Sequence, residues 1–323
     1  MGSGKIRTGI DLGTGSVKVV RGIGAATLER ITHVGQEDWD PPDSGDDTTR
    51  AANALQRLLD RLGLGRRKLG RVAVGLGSAR ASFREVAIAH LSEADLRAAL
   101  PFEARKHLNL EGMAEPILAF QILGSAPAAE NGTADGMRVL FAAVAQEERR
   151  FPLDTLSRLA LEPEVIDLEP LAATRAVMAH LPDEDAGKVF GLLDLGRAQS
   201  VLHVASRHGG FLSRPVGEGH PRGGDAQQVR SYRAGLAERV RETVTFYRGR
   251  HRQEVERIFL SGGGALLEGV AEELSRAMGM PVAPFNPFDR RIARAQGGNE
   301  VAGKEACFVT AYGLCRWWDA ADV

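Results

Sequence analysis

Cysteine is almost missing from this 323-residue chain: Cys307 and Cys315 are the whole complement. If both lie on one helix, the eight-residue step holds them about 12 Å apart, too far for a disulfide. The chain therefore reads as reduced and cytoplasmic. Charge of one sign is missing too. A net charge of −1, with arginines interleaved among Asp and Glu, excludes a general attraction to nucleic acid or anionic lipid. No apolar run approaches the roughly 20 residues that span a bilayer. The opening Met1-Gly2-Ser3-Gly4-Lys5 has no signal-peptide stretch. Histidines are scattered without metal-ligand spacing, and the Gly-x-Ser-x-Gly elbow of serine hydrolases does not occur.

What is present is core-forming material. Hydrophobic residues make up 43% and charged residues 26%, enough burial to offset chain entropy. The length is too great for one ordinary core and predicts two domains. Strand-like runs at Arg7–Leu12, Val17–Gly22 and Thr27–Val34 are followed by a loop at Asp38–Gly45 and a helix at Ala51–Leu62, then a strand at Val72–Leu76. A smaller α+β unit follows. It has strands at Ser82–Ala89, Ile117–Leu123 and Arg138–Ala145, a helix capped by Ser92 with Asp95 at its third position, and a helix near Glu147–Leu161. Gly124–Gly136 is a polar loop. The pattern then returns to α/β with Val165–Leu168, a helix at Glu169–His180, and strands Val189–Leu195 and Ser200–Ala205. A long amphipathic helix at Gln227–Tyr247 leads to a strand at Ile258–Leu260 and helices at Ala265–Met278 and Ala306–Trp318.

Chemistry concentrates at three glycine turns. Ile10-Asp11-Leu12-Gly13-Thr14-Gly15-Ser16-Val17-Lys18 and Leu193-Asp194-Leu195-Gly196-Arg197-Ala198-Gln199-Ser200 each follow a strand that ends in aspartate, and Ser261-Gly262-Gly263-Gly264 follows a third strand. Gly13 and Gly15 let backbone amides approach an anion closely. Thr14 and Ser16 add hydroxyls and Lys18 a cation, while Asp11 is suited to a metal-bound water, since a bare carboxylate repels phosphate. Asp194 and Gly196 repeat the device, with Ser200 as its hydroxyl. Arg197 and Gln199 are bulky for such a turn; they either contact phosphate or fill its place. Gly262, Gly263 and Gly264 offer flat backbone to a nucleoside. Each turn alone is also compatible with an ordinary hairpin or loop. Their order predicts a two-lobed nucleotide clamp.

Taken together, the turns resemble the two phosphate motifs and the adenosine motif of the actin/chaperone/sugar-kinase superfamily. Ile166 to Ala173 and Ala311-Tyr312-Gly313-Leu314 resemble its interlobe connectors. Within it, the chain most resembles the PilM type of type IV pilus assembly protein, through Pro101-Phe102-Glu103-Ala104-Arg105-Lys106-His107-Leu108, Leu260 to Gly269, and Pro281 through Asn286-Pro287-Phe288. The resemblance implies an actin-like (ribonuclease H-like) α/β fold of two lobes with an inserted FtsA-type small α+β subdomain. Residues 1–78 and 163–185 would form the first lobe, with the helix at 306–323 returning to it. Residues 79–162 would be the insertion and 186–305 the second lobe. It further implies ATP with Mg2+ in the cleft, the metal held through water by Asp11 and Asp194, and phosphates cradled by Gly13, Thr14, Gly15, Ser16, Lys18, Gly196, Arg197 and Ser200. Gly262, Gly263 and Gly264 would face the nucleoside.

Glu169 takes the place of the water-orienting group of chaperone relatives; its plain alternative is an acid stabilised at a helix start. Glu103, Lys106, His107 and Leu108 would line a groove for the N-terminal cytoplasmic peptide of a PilN-like membrane partner. That places the chain in the cytoplasm, peripheral to the inner membrane, with self-association open. Two departures from the family stand out: the bulky second phosphate turn, and the short segment Glu218–Asp225 where relatives carry more helix. They keep open a degenerate scaffold without nucleotide. A phosphotransferase lacks an obvious catalytic Asp, and an FtsA-like polymer lacks a membrane-binding tail, since Asp319-Ala320-Ala321-Asp322-Val323 is short and acidic. Type II secretion platform proteins, the remaining relative, continue into a transmembrane helix.

Overall fold

The computed structural model describes residues 5–77, 81–125, 136–208, 210–221, 226–288 and 290–319. Most of the expected polar loop at 124–136, the end of the 218–225 segment and the tail after Asp319 lie outside them.

The chain opens with β1 (Lys5–Gly13), β2 (Ser16–Gly24) and β3 (Arg30–Asp38), then helix α1 (Asp47–Arg61) and β4 (Arg71–Leu76). Asp46 caps α1 by accepting the Thr49 amide at 2.7 Å. A separate unit holds β5 (Ala81–Ala89), α2 (Glu93–His107), β6 (Ile117–Ser125) and β7 (Gly136–Val144); α3 (Arg150–Ser157), which the sequence placed with it, instead packs Leu156 against α1 in the first lobe. The Ser92 hydroxyl caps α2 by accepting the Asp95 amide, as its spacing predicted. Then follow β8 (Val165–Leu168), α4 (Glu169–Met178), β9 (Val189–Leu195), β10 (Gln199–Ala205), β11 (Leu212–Glu218), α5 (Ala226–His251), β12 (Val255–Ser261), α6 (Val270–Met278), β13 (Val282–Pro284) and α7 (Val309–Cys315). Among the described residues no helix is long and apolar enough to cross a membrane.

The two large sheets have one plan. Their orders are β3-β2-β1-β4-β8 and β11-β10-β9-β12-β13: an antiparallel meander of three strands extended by two parallel ones. A third sheet, β5-β7-β6, is antiparallel and lies in the unit between β4 and β8. α1 presents Ala51, Leu55, Leu58 and Leu59 to Ile10, Val17, Val19 and Val74. α5 does the same for the second sheet with Leu236, Val240, Val244 and Tyr247 against Leu193, Leu202 and Leu260. Each such fully buried aliphatic side chain stabilises the lobe by about 1.5–3 kcal/mol. Between the lobes α4 and α7 cross closely enough to require glycine: a Cβ on Gly313 would lie 1.8 Å from the Ala172 carbonyl oxygen, and one on Gly9 2.1 Å from that of Ala311.

Several sequence expectations need correction. β3 starts at Arg30 rather than Thr27, because Ala25–Glu29 is held as a bend: Glu29 accepts the Ala25 amide at 3.1 Å, and the Ala25 carbonyl accepts from Arg7 at 2.9 Å. β11 was not anticipated. The helix expected over 265–278 is a 3-10 turn followed by α6, interrupted at Gly269 with φ +72°. The last helix shortens in the same way to a 3-10 turn and α7, which puts Cys307 and Cys315 on different elements, both free and buried. Asp319 is no part of a free acidic tail either. It is buried and paired with the buried Arg7 of β1 and with Arg316 at 2.8 Å.

Candidate functional site

One cleft of about 670 Å³ lies between the two large sheets. It gathers nearly all of the predicted nucleotide residues: Asp11, Gly13, Thr14, Gly15, Ser16 and Lys18 from the first lobe, Glu169 from the start of α4, and Asp194, Gly196, Arg197, Gly262 and Gly263 from the second. The reason is topological. β1 and β9 are the middle strands of the two five-stranded sheets, so Asp11 and Asp194 come to equivalent sheet ends, and each hairpin turn opens into the gap.

Two predicted residues are not brought there. Ser200 is fully buried, and its hydroxyl is engaged by the Glu218 carbonyl at 2.9 Å and the Tyr232 hydroxyl at 3.0 Å. The bulge between Ser200 and Val201 accompanies this turn away from the cleft. Gly264 packs beneath the surface, where a Cβ would meet that of Leu195 at 2.6 Å.

In the first turn Lys18 pairs with Asp11 across the hairpin register, Nζ to Oδ2 at 3.2 Å, with both side chains nearly buried. Burial alone would lower the Lys18 ammonium; attraction from Asp11, with Cys307 and Asp194 behind it, outweighs that and holds it above its ordinary value. In the second turn Asp194 faces Val201 instead, and takes its hydrogen bond from Ser261 of β12 at 2.9 Å. Burial pushes Asp194 upward; the Ser261 hydroxyl opposes the shift and the nearby Asp11 adds to it.

Glu169 is pushed up to about 8 by burial first, then by the charges of Asp11 and Asp194, with Lys18 opposing. The expected helix-start stabilisation of its charge is therefore outweighed by desolvation. Gly75 of β4 leaves its space: a Cβ there would sit 3.0 Å from the Glu169 Cγ. Burial and the two aspartates thus favour its protonated form.

Arg197 reaches from the second turn onto the first. A Cβ on Gly15 would lie 2.0 Å from its Nη1. His220 lies over the third turn, its Nε2 3.0 Å from where a Gly263 Cβ would be. Sequence reasoning missed His220, Ser261, Gly75, Gln36, Lys304 and Thr310, which also line the cleft. Ser261 stands beside the glycine turn and Thr310 beside the Ala311-Tyr312-Gly313-Leu314 connector; the others come from segments with no motif.

The family described as Type IV pilus assembly protein PilM matches residues 9–219 and 217–316. This chain belongs to the PilM family. The solved structure titled PilM-PilN type IV pilus biogenesis complex superposes with a TM-score of 0.73 at 20% identity, over 96% of this chain and 97% of that one. A glycerol dehydratase reactivase gives 0.50 at 9% identity over 96% and 99%. The cytoplasmic domain of EpsL, an inner membrane component of the type II secretion system of Vibrio cholerae, gives 0.42 at 13% over 79% and 81%. No curated protein sequence is significantly similar to the chain. The fold is thus the actin-like two-lobed one with a small inserted α+β unit, as expected.

The residues expected to form the PilM-type groove lie on α2 and, for Leu108, at its C-terminal cap, in the inserted unit. Lys106 pairs with Glu103 at 2.6 Å, and this contact holds the Glu103 carboxyl below the usual carboxylate range. His107 approaches the same carboxylate at 3.5 Å and stacks on Phe141, ring centres 6.0 Å apart. Leu108 is different: it is buried with Leu96, Ala104 and Phe141 in the core of the unit, so it supports the surface rather than forming it. Phe102, which falls outside the Leu96-Leu100-Ala104-Leu108 spacing, is 68% exposed beside these residues.

Proposed function

We propose that this PilM-family protein is an ATP-binding adaptor of a type IV pilus inner-membrane platform. It sits in the cytoplasm, holds the N-terminal peptide of a PilN-like membrane protein, and turns over ATP slowly if at all. The observation that supports it most is the cleft itself: two equivalent hairpin turns and a glycine turn converge with three carboxylates and Lys18 on one volume. The complex to which the chain is similar in fold pairs a PilM with a PilN. Exposed Phe102, with Glu103, Lys106 and His107, offers an apolar and charged surface of the kind a peptide covers.

A divalent metal suits this donor set. Burial first, and then the neighbouring carboxylates, raise Asp194 and Glu169, and a cation would relieve the repulsion between these carboxylates. Among the described residues no three acidic, His or Cys groups come close enough to cage a metal themselves. That favours Mg2+ held by Asp11 and Asp194 through water and completed by phosphate oxygens. When bound, the metal would supply charge neutralisation for the phosphates. Lys18, Thr14, Ser16 and Gly13 would position them, and Gly262 and Gly263 would receive the nucleoside. Glu169, at the start of α4 beside both aspartates, would be the group to orient an attacking water when the cation is bound.

A second reading, a scaffold without nucleotide, is favoured by Arg197 and His220, which occupy space over Gly15 and Gly263. Calorimetry of the nucleotide-stripped protein with Mg-ATP separates the two. Micromolar binding that Asp11→Ala removes supports the adaptor with a working site. No binding at millimolar ATP sinks that reading and leaves the scaffold.

A further inference from the structure

The inserted unit touches the second lobe as well as the first, and one largely covered carboxylate makes the junction. Along β5 the odd positions Phe83 and Glu85 face away from α2, whereas Val86 and Ile88 pack under it. The Glu85 Oε2 accepts both the Gly210 amide and the Phe211 amide, the latter at 3.1 Å, in the turn between β10 and β11. Its other oxygen meets Arg138 of β7 at 3.3 Å, and the side chain is only 12% exposed. Phe83 packs edge-on against Phe211, ring centres 5.3 Å apart. Gly210 adopts φ +84°, and a Cβ there would strike the Tyr247 hydroxyl of α5 at 2.3 Å, so this turn is tied down on both sides.

The junction leads straight to the cleft. β11 starts at Leu212, next to the seated Phe211, and ends at Glu218. Beyond it the Gly219 amide donates to the Ala198 carbonyl at 3.0 Å and the His220 amide to that of Gly196 at 3.1 Å. One strand of seven residues, about 23 Å long at the usual rise, therefore spans from Glu85's seat to the second phosphate turn. From that turn Arg197 reaches Gly15 of the first lobe.

We propose that Glu85, seated on the Gly210 and Phe211 amides, is a latch by which the inserted unit holds β11 and the second phosphate turn in the position that assembles the nucleotide cleft. The latch is a regulatory contact for the site proposed above and rests on that reading. Its carboxylate charge matters because a charge-assisted bond to two amides is roughly twice as strong as a neutral one.

The test is Glu85→Ala in the full chain, read in two ways. Amide hydrogen exchange, without nucleotide, should quicken about tenfold or more at Gly210 and Phe211 and also at the distant turn Gly196–Gln199. Mg-ATP affinity by calorimetry should fall about five- to tenfold, within the usual range of site-to-site coupling. Glu85→Gln, which keeps an acceptor without the charge, should fall between, and it carries both tests if the alanine variant loses its fold. Unchanged exchange at Gly210 and Phe211 overturns the latch. Faster exchange there, with the Gly196–Gln199 turn and ATP affinity both unmoved, overturns its link to the cleft. A wild-type protein that binds no ATP defeats the nucleotide reading instead, and exchange at the two turns alone then decides the latch.

Discussion

The two hairpin turns occupy equivalent places in sheets of identical order, yet they are equipped differently. In the first, the loop between paired residues is Thr14-Gly15, and the aspartate is answered across the register by Lys18. In the second the loop runs from Gly196 to Gln199, the residue opposite the aspartate is Val201, and Asp194 borrows a neutral hydroxyl from the next strand. The comparison separates shape from chemistry. A sheet whose middle strand ends in Asp brings a carboxylate to the cleft, while a cation paired with that aspartate is present in the first turn and not in the second. The second turn's cation, Arg197, points across to the first turn rather than back to its own aspartate.

The widest gap between the turns should appear on removing each aspartate. Asp11→Ala should weaken Mg-ATP binding about a hundredfold, roughly 2.8 kcal/mol at 1.4 kcal/mol per decade. It should also lower stability by about 1–3 kcal/mol, because Lys18 is left unpaired in a nearly buried place. Asp194→Ala should cost about tenfold in affinity and less stability than Asp11→Ala, since burial already disfavours its charge and the partner it leaves, Ser261, is neutral. Calorimetry and urea melts check both; equal losses of affinity and stability would erase the asymmetry.

Arg197→Ala comes next, with an expected affinity loss of about fivefold if the guanidinium meets phosphate. A gain in affinity would show that Arg197 fills the phosphate's place, and the second turn would then be an obstruction rather than a partner.

Glu169 gives the smallest effect on binding and the clearest dependence on pH. Its folded value of about 8 stands above the ordinary 4.5. The stability from the protonated form is therefore full below about 4.5 and is lost as pH rises through about 8. The slope is at most about 1.4 kcal/mol per pH unit. Glu169→Gln should flatten melting temperature across that window, gaining most at the alkaline end. A wild-type profile that already is flat would place the cleft's unbalanced charge elsewhere.

Much of this could be read in the chain itself. Strands ending in Asp before Gly, the Ser92–Asp95 cap and the four-residue rhythm of α1 and α5 are local signals, and their elements formed within a few residues of expectation. β11 was missed for a physical reason: Leu212–Glu218 includes Arg214, Pro215 and Gly217, and only Val216 is fully buried, so the segment has no strand signature of its own. It becomes a strand by pairing with β10. Ser200 looked like a phosphate hydroxyl because it is the first hydroxyl after the second glycine turn; the register gives it the place of Val17 in the other hairpin, and its hydroxyl goes to Glu218 and Tyr232. Leu108 looked like surface because it ends a polar motif, but its phase with Leu96, Leu100 and Ala104 puts it inside.

By itself, then, the sequence determined which residue types would serve the cleft and which segments would carry them, since hydrophobic period, caps and glycine turns act over a few residues. Only the tertiary structure decided their company: Glu169 against two aspartates, Arg7 with Asp319, Arg197 over Gly15, and Glu85 under the Gly210 turn. Those pairings join residues far apart in the chain. Charge and burial act through space, so their consequences arise only when the sheets bring those residues together.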